Sequence, residues 1–172
     1  LGVDSTSVKQ IDDIPCMPVS FFKNHWIQCG NQTPQAIFTS SGTTGMVNSQ
    51  HPVPDLQLYE QSFLQAFDLF YGSVTDYCVM ALLPSYLERE GSSLVYMADK
   101  MIQASGHADS GFYLHHTDTL LDKLVQLDAQ GQKILLLGVT FALLDMAESV
   151  QLNLKNTVVM ETGGMKGRRK EM

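Results

Sequence analysis

The sequence predicts an α/β fold, a mostly parallel sheet with flanking helices. Three observations carry that reading. Five short apolar, β-rich runs recur along the chain, and between them lie stretches whose apolar residues repeat every three or four positions. Those stretches are long enough to serve as the crossovers that parallel strands require. At 172 residues with 44% hydrophobic side chains, the chain can bury a core as one domain or as part of a larger one.

In chain order, residues 1–34 form an irregular N-terminal arm. They hold Pro15, Pro18, Pro34 and the single tryptophan without a clear period, and a short helix is expected near Val19 to His25, packed on the sheet by Phe21, Phe22 and Trp26. Residues 35–172 form the α/β portion. Ala36 to Thr39 reads as its first strand. Asp55 to Tyr71 reads as a helix that buries Leu56, Tyr59, Phe63, Phe67 and Phe70, with Asp55 capping its start and Gly72 ending it. Tyr77 to Leu83 is the second strand. Ser92 to Ser105 turns Leu94, Val95, Ala98, Met101 and Ile102 inward and stops at Gly106. Gly111 to Leu114 is the third strand. Leu120, Leu121, Leu124 and Leu127 then form a helical stripe between the capping candidates Thr117 and Asp118 and the stop at Gly131. Lys133 to Gly138 is the fourth strand, and the helix from Thr140 to about Val150 carries Phe141, Leu144, Ala147 and Val150 inward. Thr157 to Met160 is the fifth strand.

Composition narrows the function classes. No apolar run approaches the ~20 residues that span a bilayer, and there is no secretory signal. Cys16, Cys29 and Cys78 are too few and too irregular for a disulfide framework or a metal knuckle, so buried free thiols and a cytoplasmic location are expected. The net charge of -7 would repel a polyanion; four of the eleven basic residues, Lys166, Arg168, Arg169 and Lys170, cluster near the end, where a solvated turn is the default reading. No nucleic-acid partner is expected. The chain opens at Leu1 and stops at Met172 within a charged run, and the expectation is a fragment, incomplete at its C-terminus.

One segment stands out for chemistry. Ile37 and Phe38 run through Thr39 into Ser40, Ser41, Gly42, Thr43, Thr44 and Gly45. Glycines let such a loop turn tightly, and its backbone N–H groups and hydroxyls converge on one concave spot suited to phosphate oxygens. It is not a Walker A loop, because no GK[ST] follows and the next lysine is Lys100. For an arbitrary loop of this composition a surface turn is the ordinary reading.

The run from Ser40 to Gly45 resembles the phosphate loop of adenylate-forming enzymes. The flanking Ile14-Pro15-Cys16-Met17-Pro18-Val19-Ser20-Phe21-Phe22-Lys23 and Asn48-Ser49-Gln50-His51 resemble the acyl-protein synthetases, the long-chain-fatty-acid luciferin-component ligases of bacterial bioluminescence and their relatives. Leu83-Pro84-Ser85-Tyr86-Leu87-Glu88-Arg89 with Gly91-Ser92-Ser93-Leu94 agrees, and Glu161-Thr162-Gly163-Gly164-Met165-Lys166-Gly167 resembles the strand-end glycine pair that lies against adenosine. The resemblance runs from about Ile11 to the last residue.

It implies the N-terminal portion of the large domain of an adenylating ligase. ATP and Mg2+ would be cofactors, a carboxylic acid, most simply a fatty acid, the substrate, and a protein or CoA the acyl acceptor. Thr39, Ser40, Ser41, Gly42, Thr43, Thr44 and Gly45 would cradle the β- and γ-phosphates, and Thr162, Gly163 and Gly164 would receive adenosine. Two departures accompany the match. Where the wider superfamily places Pro-Lys-Gly after the loop, this chain has Met46-Val47-Asn48-Ser49, without the cation; and the aromatic-Gly-x-Thr-Glu segment, the ribose-binding aspartate and the late lysine are absent, so no catalytic residue is assigned. A CoA-forming ligase and a non-catalytic nucleotide- or anion-binding module remain as alternatives.

The other candidates have plain readings beside the functional ones. His115 and His116 follow a strand end but, as neighbours on a strand, point to opposite faces, which disfavours a shared metal. His51 lies in the motif region and reads equally as a phosphate-facing or a surface histidine. Cys78 within an apolar strand reads as core. Cys16 and Cys29 have no paired base. Asp12, Asp13, Glu88 and Glu90 read as solvated charges, with Arg89 between the last two.

Overall fold

A computed structural model describes residues 5–40, 48–84 and 90–163. The chain forms two compact units, Leu1–Pro54 and Asp55–Met172.

In the first unit, 3-10 turns at Ser5–Ser7 and Ile11–Asp13 precede a short helix α1 (Phe21–Asn24). Two strands follow, β1 (Ala36–Thr39) and β2 (Gln50–Val53), paired antiparallel with Thr39 opposite Gln50 and Phe38 opposite His51. The first expected strand is therefore one arm of a hairpin in a sheet of its own, rather than the opening strand of the parallel sheet. Its partner β2 was not expected, because Gln50-His51-Pro52-Val53 is short, polar and contains a proline, which lacks the N–H a ladder uses. Trp26, expected to pack inward, is 53% exposed, and its indole N–H donates to Gln28 Oε1 at 3.1 Å.

The second unit is a four-stranded, all-parallel sheet flanked by helices. Helix α2 (Leu56–Tyr71) leads through a 3-10 turn, Val74–Asp76, into β3 (Tyr77–Leu82). Then α3 (Ser93–Ser105), β4 (Gly111–Phe112), α4 (Thr117–Ala129), β5 (Lys133–Val139), α5 (Thr140–Ser149) and β6 (Thr157–Thr162) alternate, with spatial order β4-β3-β5-β6. Tyr77 to Leu82 pair with Lys133 to Gly138, and Ile134 to Val139 with Thr157 to Thr162. Strand β3 feeds β4 on one side, whereas β5 feeds β6 on the other. Right-handed crossovers then set α3 on one face and α4 and α5 on the opposite one.

Side-chain alternation agrees with that topology. Val79 and Leu135 share a cluster with Phe67 of α2 and Met101 of α3. Cys78, Met80, Ile134 and Leu136 share another with Leu120, Leu124 and Leu127 of α4 and Ala142 and Met146 of α5, a cluster that also takes in Ala81, Leu137 and Ala98 of α3. The middle strands are buried on both faces, which is why they read as unbroken apolar runs. Each leucine taken fully out of water there contributes about 1.5–3 kcal/mol.

Caps fix the helix limits. Asp55 Oδ1 accepts the N–H groups of Gln57 at 2.9 Å and Leu58 at 3.4 Å, and Gly106 ends α3 in the left-handed region. Three expectations fail. His116, rather than Thr117 or Asp118, is the residue preceding α4. Phe70 is 76% exposed, because the α2 stripe turns away from the sheet in its last turn. In α5 the buried positions are Ala142 and Met146, while Ala147 is exposed: an apolar stretch with few polar residues gives no clear phase, and packing chose a face about one residue away.

Candidate functional site

The two segments singled out for chemistry lie in different units. In the first, β1 and β2 converge on a hydrogen-bonded neck. Ser40 N–H donates to the Ser49 carbonyl at 3.1 Å, and Ser49 N–H donates to Ser40 Oγ at 3.0 Å. The Ser49 hydroxyl, in a residue only 8% exposed, lies 2.9 Å from His51 Nε2. Serine at 49 and histidine at 51 sit on the same side of β2 because strand side chains alternate with a period of two. The imidazole also packs on the Phe22 ring of α1, with centroids 4.9 Å apart. Of the expected phosphate-binding residues, Thr39 is the exposed last residue of β1 and Ser40 forms the neck; Ser41, Gly42, Thr43, Thr44 and Gly45 lie outside the described residues.

In the second unit, the expected adenosine-binding residues sit at the carboxyl end of β6. Thr162 Oγ1 donates to the Gly138 carbonyl of β5 at 3.3 Å, and Gly163 follows with φ +60° and open space where a side chain would be. A non-glycine residue there would be strained although unobstructed. Gly164 lies outside the described residues. Next to Thr162, the exposed Glu161 carboxylate accepts the hydroxyl of Thr140 at the start of α5. At Gly138 an added Cβ would stand 2.8 Å from Leu143 Cγ, so a larger residue there would force the Leu143 side chain of α5 to shift. These groups lie at the carboxyl edge of the parallel sheet between β5 and β6, one strand away from the point between β3 and β5 where the topology reverses and open α/β sheets bind ligands.

The remaining candidates separate cleanly. Cys78 is fully buried, and burial pushes its thiol up to about 11, so it belongs to the core. Cys16 and Cys29 are exposed, contrary to the expectation of buried thiols. His115 and His116 are exposed. Asp13 is no simple solvated charge: its carboxylate accepts the N–H groups of Lys9 at 2.9 Å and Gln10 at 3.1 Å, which hold its pKa below the ordinary value. Glu90 is exposed, and Glu88 and Arg89 lie outside the described residues. Among the described residues no three His, Cys, Asp or Glu side chains gather to hold a metal, and no helix is long and apolar enough to cross a membrane.

Ser49, named in the sequence only within the Asn48-Ser49-Gln50-His51 match, gains its His51 partner from the i, i+2 spacing, which has meaning once the segment is known to be a strand. One polar group escaped the sequence reading. It is Asp128 at the end of α4, 6% exposed, whose carboxylate accepts the N–H groups of Lys155 at 2.9 Å and Asn156 at 2.8 Å and the Thr157 hydroxyl at 2.8 Å. It pins the chain entering β6. A cavity of about 700 Å3 beside it, lined by Gln130, Gln151, Leu154 and Lys155 among others, opens at the amino edge of the sheet, opposite the glycine end of β6. Comparison with protein-family models, with curated proteins and with solved structures returns no match for this chain.

Proposed function

We propose that this chain forms the nucleotide-binding part of an ATP-dependent ligase that activates a carboxylic acid, most simply a fatty acid, as its acyl adenylate, in the manner of acyl-protein synthetases. The observation that supports this most is the hairpin neck: the Ser/Thr/Gly run leaves β1 at Thr39 and the chain returns through Ser49 into β2, so the run is held between two paired strands. The two ends of the run are thereby fixed, as those of a phosphate loop must be, and its Ser/Thr/Gly composition is what sets it apart from an ordinary hairpin turn.

In the reaction, a carboxylate oxygen attacks the α-phosphorus of ATP. The bond from that phosphorus to the bridging oxygen breaks, and pyrophosphate leaves with the electron pair. The protein's part is positioning and charge stabilisation. Thr39 and Ser40, with Ser41, Gly42, Thr43, Thr44 and Gly45, cradle the β- and γ-phosphates, while Thr162, Gly163 and Gly164 admit the adenosine against backbone. Magnesium enters with the triphosphate, and no residue of this chain is assigned to it. The acyl group then passes to a thiol or hydroxyl on the enzyme or a partner protein; transfer to CoA is the variant within the same chemistry.

The test is carboxylate-dependent exchange of labelled pyrophosphate into ATP, run on the whole polypeptide that carries this chain with short, long and aromatic acids. Exchange with any acid is the expected result. The double change Thr43→Ala, Thr44→Ala should weaken ATP use by removing two hydroxyl donors worth about 1.5–3 kcal/mol each when bonded to charge. The absence of a lysine after Gly45 favours a second reading, a nucleotide-binding module without catalysis. ATP binding without exchange by any acid would select it.

A further inference from the structure

We propose that β6 is an interface between two copies of this chain: their β6 strands pair antiparallel about a two-fold axis through Val159 and join the two parallel sheets into one. The inference stands apart from the adenylating reading and rests on described residues alone.

The two edges of the sheet differ. At one, β4 is two residues long, a length that leaves little backbone to pair with. At the other, β6 runs Thr157-Val158-Val159-Met160-Glu161-Thr162, with an unbroken register and without the proline, lysine or bulge that blunts an exposed edge. Half of its backbone is used. Ile134, opposite Thr157, donates its N–H to the Asn156 carbonyl at 2.9 Å, and in a parallel ladder the alternate residues Val158, Met160 and Thr162 then bond to β5. The N–H and C=O groups of Thr157, Val159 and Glu161 face away from β5, where no strand pairs with them among the described residues. Val159 is 54% exposed, whereas Val158 and Met160 pack against the cluster around Val79 and Leu135.

The strand is complementary to itself. Antiparallel pairing about Val159 sets that residue opposite Val159 of the second copy and Thr157 opposite its Glu161, so every outward N–H meets an outward C=O. On the other face, Val158 stands opposite Met160 of the second copy, a β-branched side chain against a flexible apolar one. Glu161, the charge on the strand, meets no like charge and lies diagonally from the exposed Lys155 of the second copy, at a separation long side chains span. An antiparallel strand at the edge of a parallel sheet is a common arrangement. A foreign extended peptide would find the same backbone groups, but a second copy supplies these side-chain pairs by symmetry.

The experiment is sedimentation velocity of this chain across a dilution series, in reducing buffer so that the exposed Cys16 and Cys29 form no disulfide. A dimer that dissociates on dilution is expected. Val159→Pro, which removes an outward N–H and no bond to β5, and Val159→Lys, which sets a charge against its own copy, should each weaken the dimer about tenfold or more. Glu161→Lys should weaken it too, and Lys155→Glu added to that variant should restore most of the loss. Amide exchange at Val159 and Glu161 should be slow in the dimer and fast on dilution. A chain that stays monomeric at every concentration would overturn the proposal: with those amides still slow, the edge is covered from within its own polypeptide, and with them fast it is open. A dimer that survives both Val159 variants would also overturn it, placing the interface on another surface. If Val159→Pro fails to fold, Val159→Lys, which alters only an exposed side chain, decides.

Discussion

The hairpin and the parallel sheet hold themselves together by different means. In the hairpin, one strand side chain, Phe38, is deeply buried, Ile37 is 43% exposed, and the rest is ladder and side-chain hydrogen bonding around Ser40, Ser49 and His51. In the sheet, β3 and β5 are buried almost throughout, and polar groups appear at the ends of strands and helices. Burial makes the sheet insensitive to detail at its surface and intolerant of lost volume; the hairpin is tolerant of lost volume and dependent on a few directed bonds.

That contrast can be broken by substitution. The largest effect should come from Leu136→Ala: Leu136 is fully buried, and truncation should cost about 2–5 kcal/mol in denaturant unfolding. Asp128→Asn comes next, with a pH signature. The Lys155 N–H foremost, then the Asn156 N–H and the Thr157 hydroxyl, hold the Asp128 carboxyl below its ordinary value of 3.8. A depressed folded-state pKa contributes stability that is present above the unfolded-state value and lost as pH falls through the folded one. Melting of the asparagine variant should thus be lower at neutral pH and less steep in acid, and equal slopes would refute the assignment. Asp55→Ala should cost about 1 kcal/mol by uncapping α2. Smallest of all, Ile37→Ala should change stability by about 0.5 kcal/mol or less. A hairpin as sensitive to Ile37 as the sheet is to Leu136 would erase the distinction.

The same contrast explains what the sequence made legible. Strands β3 and β5 were plain because burial on both faces leaves uninterrupted apolar runs, and Asp55, Gly72 and Gly106 bounded α2 and α3 as expected, while Ser92, read as the first helical residue, is the N-cap of α3. Helix α5 was found but rotated in its burial, since an apolar stretch has no polar back to set its phase. Strand β2 was missed because its stability comes from pairing with β1, and pairing leaves no periodic trace in Gln50-His51-Pro52-Val53. Among the site residues, Thr39, Ser40, Thr162 and Gly163 sit at strand ends, where a glycine- and hydroxyl-rich run after apolar residues signals a turn. The roles of Ser49 and Asp128 depend on partners reached through the fold, nine residues away for Ser40 and about 27 for Lys155.

The fully buried Cys78, with Cys16 and Cys29 exposed, gives the molecule a built-in clock. A thiol reagent will consume the two outer cysteines at once, whereas Cys78 reacts only when the sheet opens around it. Where reclosing outruns the chemistry, the ratio of its labelling rate to that of an unfolded thiol is an opening equilibrium constant. Followed across a denaturant series, that single rate would report the stability of the sheet by itself.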